Sequence, residues 1–78
     1  MNFGEALVVL KAGGRVCREG WNGVGLWLEI QRPDENSKMT LPYLYINYPQ
    51  NAKTTPGARV PWLASQTDML AEDWACCS

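Results

Sequence analysis

The chain has no histidine, and that absence bounds its chemistry. General acid–base catalysis at neutral pH most often uses an imidazole, and structural zinc sites combine imidazoles with thiolates at close spacing. Only three cysteines are present, Cys17, Cys76 and Cys77, none at C-x-x-C spacing. No metal or cofactor is expected from such a set. An odd count without a secretory leader is also a poor disulfide framework, so the reading is of reduced thiols in a reducing cytosol. Charge of one sign is missing too: seven basic and eight acidic side chains leave a net charge of -1. A nucleic-acid polymer needs a basic stripe for counterion release, so DNA and RNA are disfavoured as partners. A small anion needs only a few local donors and stays in play. No apolar run reaches the roughly 20 residues of a membrane span, which predicts a protein that stays out of the bilayer.

What the chain does have is aromatic side chains: four Trp, three Tyr and Phe3 in 78 residues. Such a length reads as one domain, 1–78. A domain of this size buries only about 60% of the surface its unfolded chain exposes. Oligomerisation is the staple left once disulfides and metals are set aside.

Asn2 followed by Glu5 has the spacing of a capping box, and Phe3, Ala6, Leu7 and Leu10 repeat at helical spacing before Gly13 and Gly14. This predicts a helix over residues 3 to 12, apolar beyond one stripe because Val8 and Val9 lie off it. Residues 15 to 18 are short enough for an edge strand, and the glycines from 20 to 25 then hold Trp21 on a loop. Leu26, Leu28 and Ile30 alternate with Trp27, Glu29 and Gln31, and Leu44 and Ile46 with Tyr43, Tyr45 and Asn47. Pairing of these two strands puts Trp27 on a face with two tyrosines. Residues 32 to 38 read as a turn, 49 to 57 as a loop, and 58 to 62 as an edge strand that tolerates Pro61. Ser65 and Asp68 form a second capping-box spacing, opening a short helix that carries Leu70 and Trp74, with a last strand at 75 to 77. The fold class is α+β, two short helices on a small, mainly antiparallel sheet.

Within this frame no nucleophile and base pair stands out. Glu5, Asp68, Glu72 and Asp73 are accounted for as caps or solvated helix faces, and Cys17 between Arg15 and Arg18 has no base within reach in sequence. The glycines near Trp21 match neither the dinucleotide fingerprint nor the P-loop. Most aromatics are read as core or interface. Trp21 and Trp62 differ, since each adjoins loop-forming and polar residues: Arg18 and Asn22 in one case, Ser65, Gln66 and Thr67 in the other. A planar base stacks on such rings while amides and hydroxyls read its edge. The helix N-terminus after Ser65 is an anion site unless the capping box consumes its donors.

Three segments, Asn2 to Leu7, Arg18 to Gly23 and Pro61 to Trp74, resemble the second Thoeris anti-defence family and cover about a third of the chain. The resemblance implies a small phage or prophage protein acting in the cytoplasm of an infected bacterium. It implies a homotetramer that sequesters nucleotide immune signals without cleaving them: glycocyclic ADP-ribose from Thoeris TIR enzymes and, in some members, cyclic dinucleotides of CBASS defence at a separate site. Carried over by position, Phe3, Trp21 and Trp62 would stack on the ligand, Asn22, Ser65, Gln66, Thr67 and Asp68 would supply polar contacts or anion-binding amides, and Arg18 and Arg59 would face phosphates. The loop from Tyr48 to Arg59 and the tail from Ala75 to Ser78 depart from the family pattern. Two other readings stand beside this one: a phage structural or adaptor module with no nucleotide ligand, and a hydrolase of the same signal.

Overall fold

A computed structural model describes residues 1–21 and 25–77 of the chain. Helix α1 spans Phe3–Lys11, entered through a complete capping box in which Asn2 accepts the Glu5 N–H at 2.8 Å and Glu5 accepts the Asn2 N–H at 2.9 Å. Its exit is a Schellman turn: the Gly13 N–H donates to Leu10 O at 3.0 Å and the Gly14 N–H to Val9 O at 2.9 Å. Gly13 takes φ +92, a left-handed conformation that costs a residue with a Cβ. The Arg32 guanidinium then donates to the Lys11 carbonyl at 2.6 Å, supplying a partner that the helix end lacks.

Among the described residues, one five-stranded antiparallel sheet follows, with β1 at Arg15–Arg18, β2 at Trp27–Gln31, β3 at Tyr43–Asn47, β4 at Arg59–Pro61 and β5 at Trp74–Cys77. The strand order is β4-β3-β2-β1-β5. The expected α+β class is therefore what the chain forms, with two corrections. Strand β1 is interior, because β5 returns along its free side and pairs Arg15 with Cys77 and Arg18 with Trp74. Helix α2 spans only Gln66–Leu70, so Trp74 opens β5 instead of ending a helix. Only the tertiary return of the chain decides both points.

The edge position of β4 is as read. The Tyr48 N–H donates to Ala58 O and the Trp62 N–H to Leu44 O, so ladder bonds fall at alternate residues and Pro61, opposite Tyr45, owes none. Alternation sorts the side chains. Val16, Leu28 and Trp74 turn toward α1, where they are buried with Ala6 and Leu10, and Leu44, Ile46, Phe3, Trp21 and Trp62 pack around them. The opposite face carries Arg15, Trp27, Glu29, Tyr45 and Asn47. There Glu29 accepts from the Trp27 indole at 2.7 Å and from Asn47 at 3.4 Å, and Arg15 lies 3.5 Å from it and 5.2 Å above the Trp27 ring. Burial, and then the Glu29 carboxylate, push the Tyr45 phenol above its usual value.

The cysteines also correct the sequence reading. Cys17 and Cys77 form a disulfide between β1 and β5, while Cys76 is free and exposed. A 60-residue separation hid a pair that the β1–β5 register makes diagonal neighbours on one face.

Candidate functional site

Four aromatic rings converge where α1, the β1 end, the β4 exit and β5 meet. Trp74 is the buried centre, with ring centroids 5.3 Å from Phe3, 5.4 Å from Trp21 and 6.0 Å from Trp62. Trp21 and Trp62 lie 6.4 Å apart, and Phe3 and Trp62 6.2 Å. The contacts are tilted or edge-on, arrangements that suit the ring quadrupoles. Trp74 is 2% exposed, whereas Phe3, Trp21 and Trp62 are only partly buried and keep ring surface in solvent.

One carboxylate organises the polar side. Asp68 sits in the first turn of α2 (Gln66–Leu70), where Ser65 Oγ accepts its N–H at 3.1 Å and its Oδ2 accepts the Ser65 hydroxyl at 2.8 Å and the Ser65 N–H at 3.2 Å. Its Oδ1 accepts the Arg18 guanidinium at 2.8 Å and the Trp21 indole N–H at 3.4 Å, and its carbonyl accepts the Trp74 indole N–H at 3.0 Å. Arg18 also donates through Nε to Asp73 at 2.8 Å, and Asp73 accepts the Gly20 N–H at 2.8 Å, anchoring the start of the loop that bears Trp21. Burial raises the Asp68 carboxyl, but hydrogen bonds from Arg18, Ser65 and Trp21 outweigh it and hold the group below the usual carboxylate range. The Arg18 hydrogen bond does the same for Asp73, against the opposing effect of desolvation.

The structure thus brings together Phe3, Arg18, Trp21, Trp62, Ser65 and Asp68 out of the residues expected at the site. Gln66 and Thr67 are exposed on the first turn of α2. Asn22 lies outside the described residues. Arg59 is elsewhere: opposite Asn47, it faces the far side of the sheet and lines a cavity of about 330 Å³ with Gln31, Tyr43, Tyr45 and Pro61. The complete capping box uses the Asp68 N–H and sets a carboxylate beside the first turn of α2, which takes up one of the donors that a phosphate at this terminus would use. Arg18 is likewise already engaged by two carboxylates.

One wall of the region was not legible in advance. Met39, Leu41 and Pro42 form, with Leu44, Pro61 and Trp62, an apolar cavity of about 450 Å³. The available signal was two large apolar residues in a segment with no strand or helix pattern, Leu41 being 75% exposed.

Among the described residues, no group of three acidic or thiol side chains is placed to hold a metal ion, and no helix is long and apolar enough to cross a membrane. The α+β sheet, the aromatic quartet and its carboxylate pin define a small domain built round one aromatic seat. Residues 1–77 match the profile of the Tad2-like family, described as the Thoeris anti-defense 2-like domain, and the chain belongs to that family. It is 43% identical over 81 aligned residues to Thoeris anti-defense 2 of Bacillus phage SP01, an alignment that spans 95% of this chain and 91% of that relative.

Proposed function

We propose that this protein, as one binding unit over residues 1–78, is a sponge that binds a cyclic nucleotide immune signal and releases it chemically unchanged. The observation that carries the reading is the pair of partly exposed indoles, Trp21 and Trp62, mounted on the buried Trp74. A stacking surface held by a rigid base loses little conformational freedom when a ligand docks. Gln66 and Thr67 offer exposed amide and hydroxyl groups on the first turn of α2, and the Met39 to Pro42 wall supplies apolar enclosure beside Trp62. Family membership supports an anti-defence role, and the ligand class is the one that the sequence resemblance implies: glycocyclic ADP-ribose first, with CBASS cyclic dinucleotides as a second class. Arg59, on the other face, serves such a second ligand better than the first. The chain contains no histidine and no recognisable nucleophile and base pair, which favours retention over turnover.

The protein acts as a homo-oligomer, a tetramer in this reading. Val8, Leu63 and Leu70 are 68%, 91% and 77% exposed, more apolar surface than a lone small domain usually leaves in water. A ligand held between subunits is enclosed in a way that one 8.7 kDa chain hardly allows. The test is to saturate the protein with glycocyclic ADP-ribose or a cyclic dinucleotide, filter, and heat the retained complex. The reading expects depletion of the filtrate and near-complete recovery of intact nucleotide after heating. Conversion to a linear product by substoichiometric protein would establish an enzyme, and no retention of any nucleotide would leave an adaptor role.

A further inference from the structure

We propose that Cys17 and Cys77 form a thiol–disulfide exchange site for small anionic thiols of the glutathione class, which reversibly fastens the last strand of the sheet. The two residues are diagonal neighbours on the face away from α1, with Cα atoms 6.3 Å apart, within the range disulfides span. They line a cavity of about 310 Å³ with Arg15, Leu26 and Trp27, so a small reagent has a route to the sulfurs. Arg15 lies directly opposite Cys77 in the β1–β5 register, and its half-exposed guanidinium, shared with Glu29, draws an anionic thiol to this side. Cys76 is separated from the pair although it adjoins Cys77 in sequence. It points to the opposite face of β5, as alternation requires, and is exposed and free.

Reduction proceeds in two displacements. A glutathione thiolate attacks Cys77 Sγ and forms a mixed disulfide as the Cys17–Cys77 bond breaks, leaving its electron pair on Cys17 Sγ, which takes up a proton. A second glutathione thiolate attacks the glutathione sulfur of that mixed disulfide, releasing Cys77 as the thiolate, which is protonated in turn, and forming oxidised glutathione. Two electrons and two protons pass from two glutathione molecules to the protein, and oxidised glutathione reverses the sequence.

The fastening matters because β5 is an edge strand, hydrogen-bonded within the sheet to β1 alone, and it begins with Trp74, opposite Arg18. The link closes a loop of 60 residues, a long closure that removes much of the freedom of the unfolded chain. This inference does not rest on the signal-binding reading, since its readouts need no nucleotide.

The full chain is equilibrated in a series of glutathione redox buffers, quenched by alkylation and peptide-mapped, with the thermal midpoint measured at each end of the series. Cys17 and Cys77 should protect together in one two-electron transition while Cys76 stays outside the intramolecular bond. The oxidised protein should melt roughly 10 °C or more above the reduced one. Cys76→Ser should retain the transition and Cys17→Ser should abolish it. Because the decisive comparison is made on the unaltered chain, a poorly folding variant does not blur the result. A Cys76–Cys77 bond as the main product, Cys17 still alkylated in fully oxidising buffer, or equal midpoints for the two forms would each overturn the proposal.

Discussion

Asp68 is the residue on which the site turns, and its partners lie far off in sequence: Arg18 is 50 positions away and Trp21 is 47. The local spacing from Ser65 to Asp68 disclosed the cap, but no local pattern discloses which distant arginine and indole the same carboxylate takes. Sequence spacing alone does not separate a ligand contact from a structural pin, and the bonds described for Arg18 and Asp68 run to each other and to their neighbours. The aromatic division follows the same logic. Trp21→Ala and Trp62→Ala should each weaken nucleotide binding by about 1–3 kcal/mol, measured by titration calorimetry, and leave a folded protein, since both rings are only partly buried. Trp74→Ala should instead cost about 3–5 kcal/mol in stability, because it empties the centre of the core. Loss of binding in a well-folded Trp74→Ala protein, with Trp21→Ala and Trp62→Ala both binding normally, would invert this assignment. Acid should also find these carboxylates. Asp68 and Asp73 hold their protons less readily when folded than when unfolded. Their stabilisation is therefore fully present above the ordinary unfolded range near about pH 4 and is lost as pH falls through the lower folded values. Denaturation midpoints followed from neutral pH downward should drop in that window, and Asp73→Asn should flatten the drop.

At the scale of elements, the ends of the helices were the most legible parts of the chain. Asn2 with Glu5, Ser65 with Asp68, and Gly13 with Gly14 each act over a few residues, so composition and spacing suffice to place them. Strand identity was equally local, through alternation; strand position was not. Nothing within residues 15 to 18 announces that β5 will flank them, yet that pairing is what makes β1 an interior strand. Two substitutions test the end signals. Gly13→Ala forces a Cβ into the left-handed region and should cost about 1–2 kcal/mol, although the space around it is open. Ser65→Ala removes the acceptor for the Asp68 N–H and should cost about 1 kcal/mol. Urea titrations of both variants measure these losses, and a Gly13→Ala protein as stable as the parent would show that the Schellman turn is not what ends α1.

For the whole molecule, the apolar residues left in solvent set the expectation. Light scattering at micromolar concentration should report a closed oligomer, a tetramer on the reading given above; a lone 8.7 kDa species would remove the case for ligand held between subunits. Substituting Leu63 and Leu70 together by Ser should lower the assembly state with little effect on the fold of the subunit, since both side chains are already mostly in water.

The return of β5 to β1 also governs when the protein comes into being. Its buried centre, Trp74, is synthesised well after the strand that receives it. At roughly 5–20 residues per second, several seconds separate the emergence of β1 from that of the ring that completes the core. A nascent chain can form α1 and the β2–β3 hairpin, yet it cannot seat Trp21 and Trp62 against Trp74. The aromatic seat therefore forms in one step, when β5 reaches β1, and a polypeptide that stops short of Trp74 has no such seat to offer.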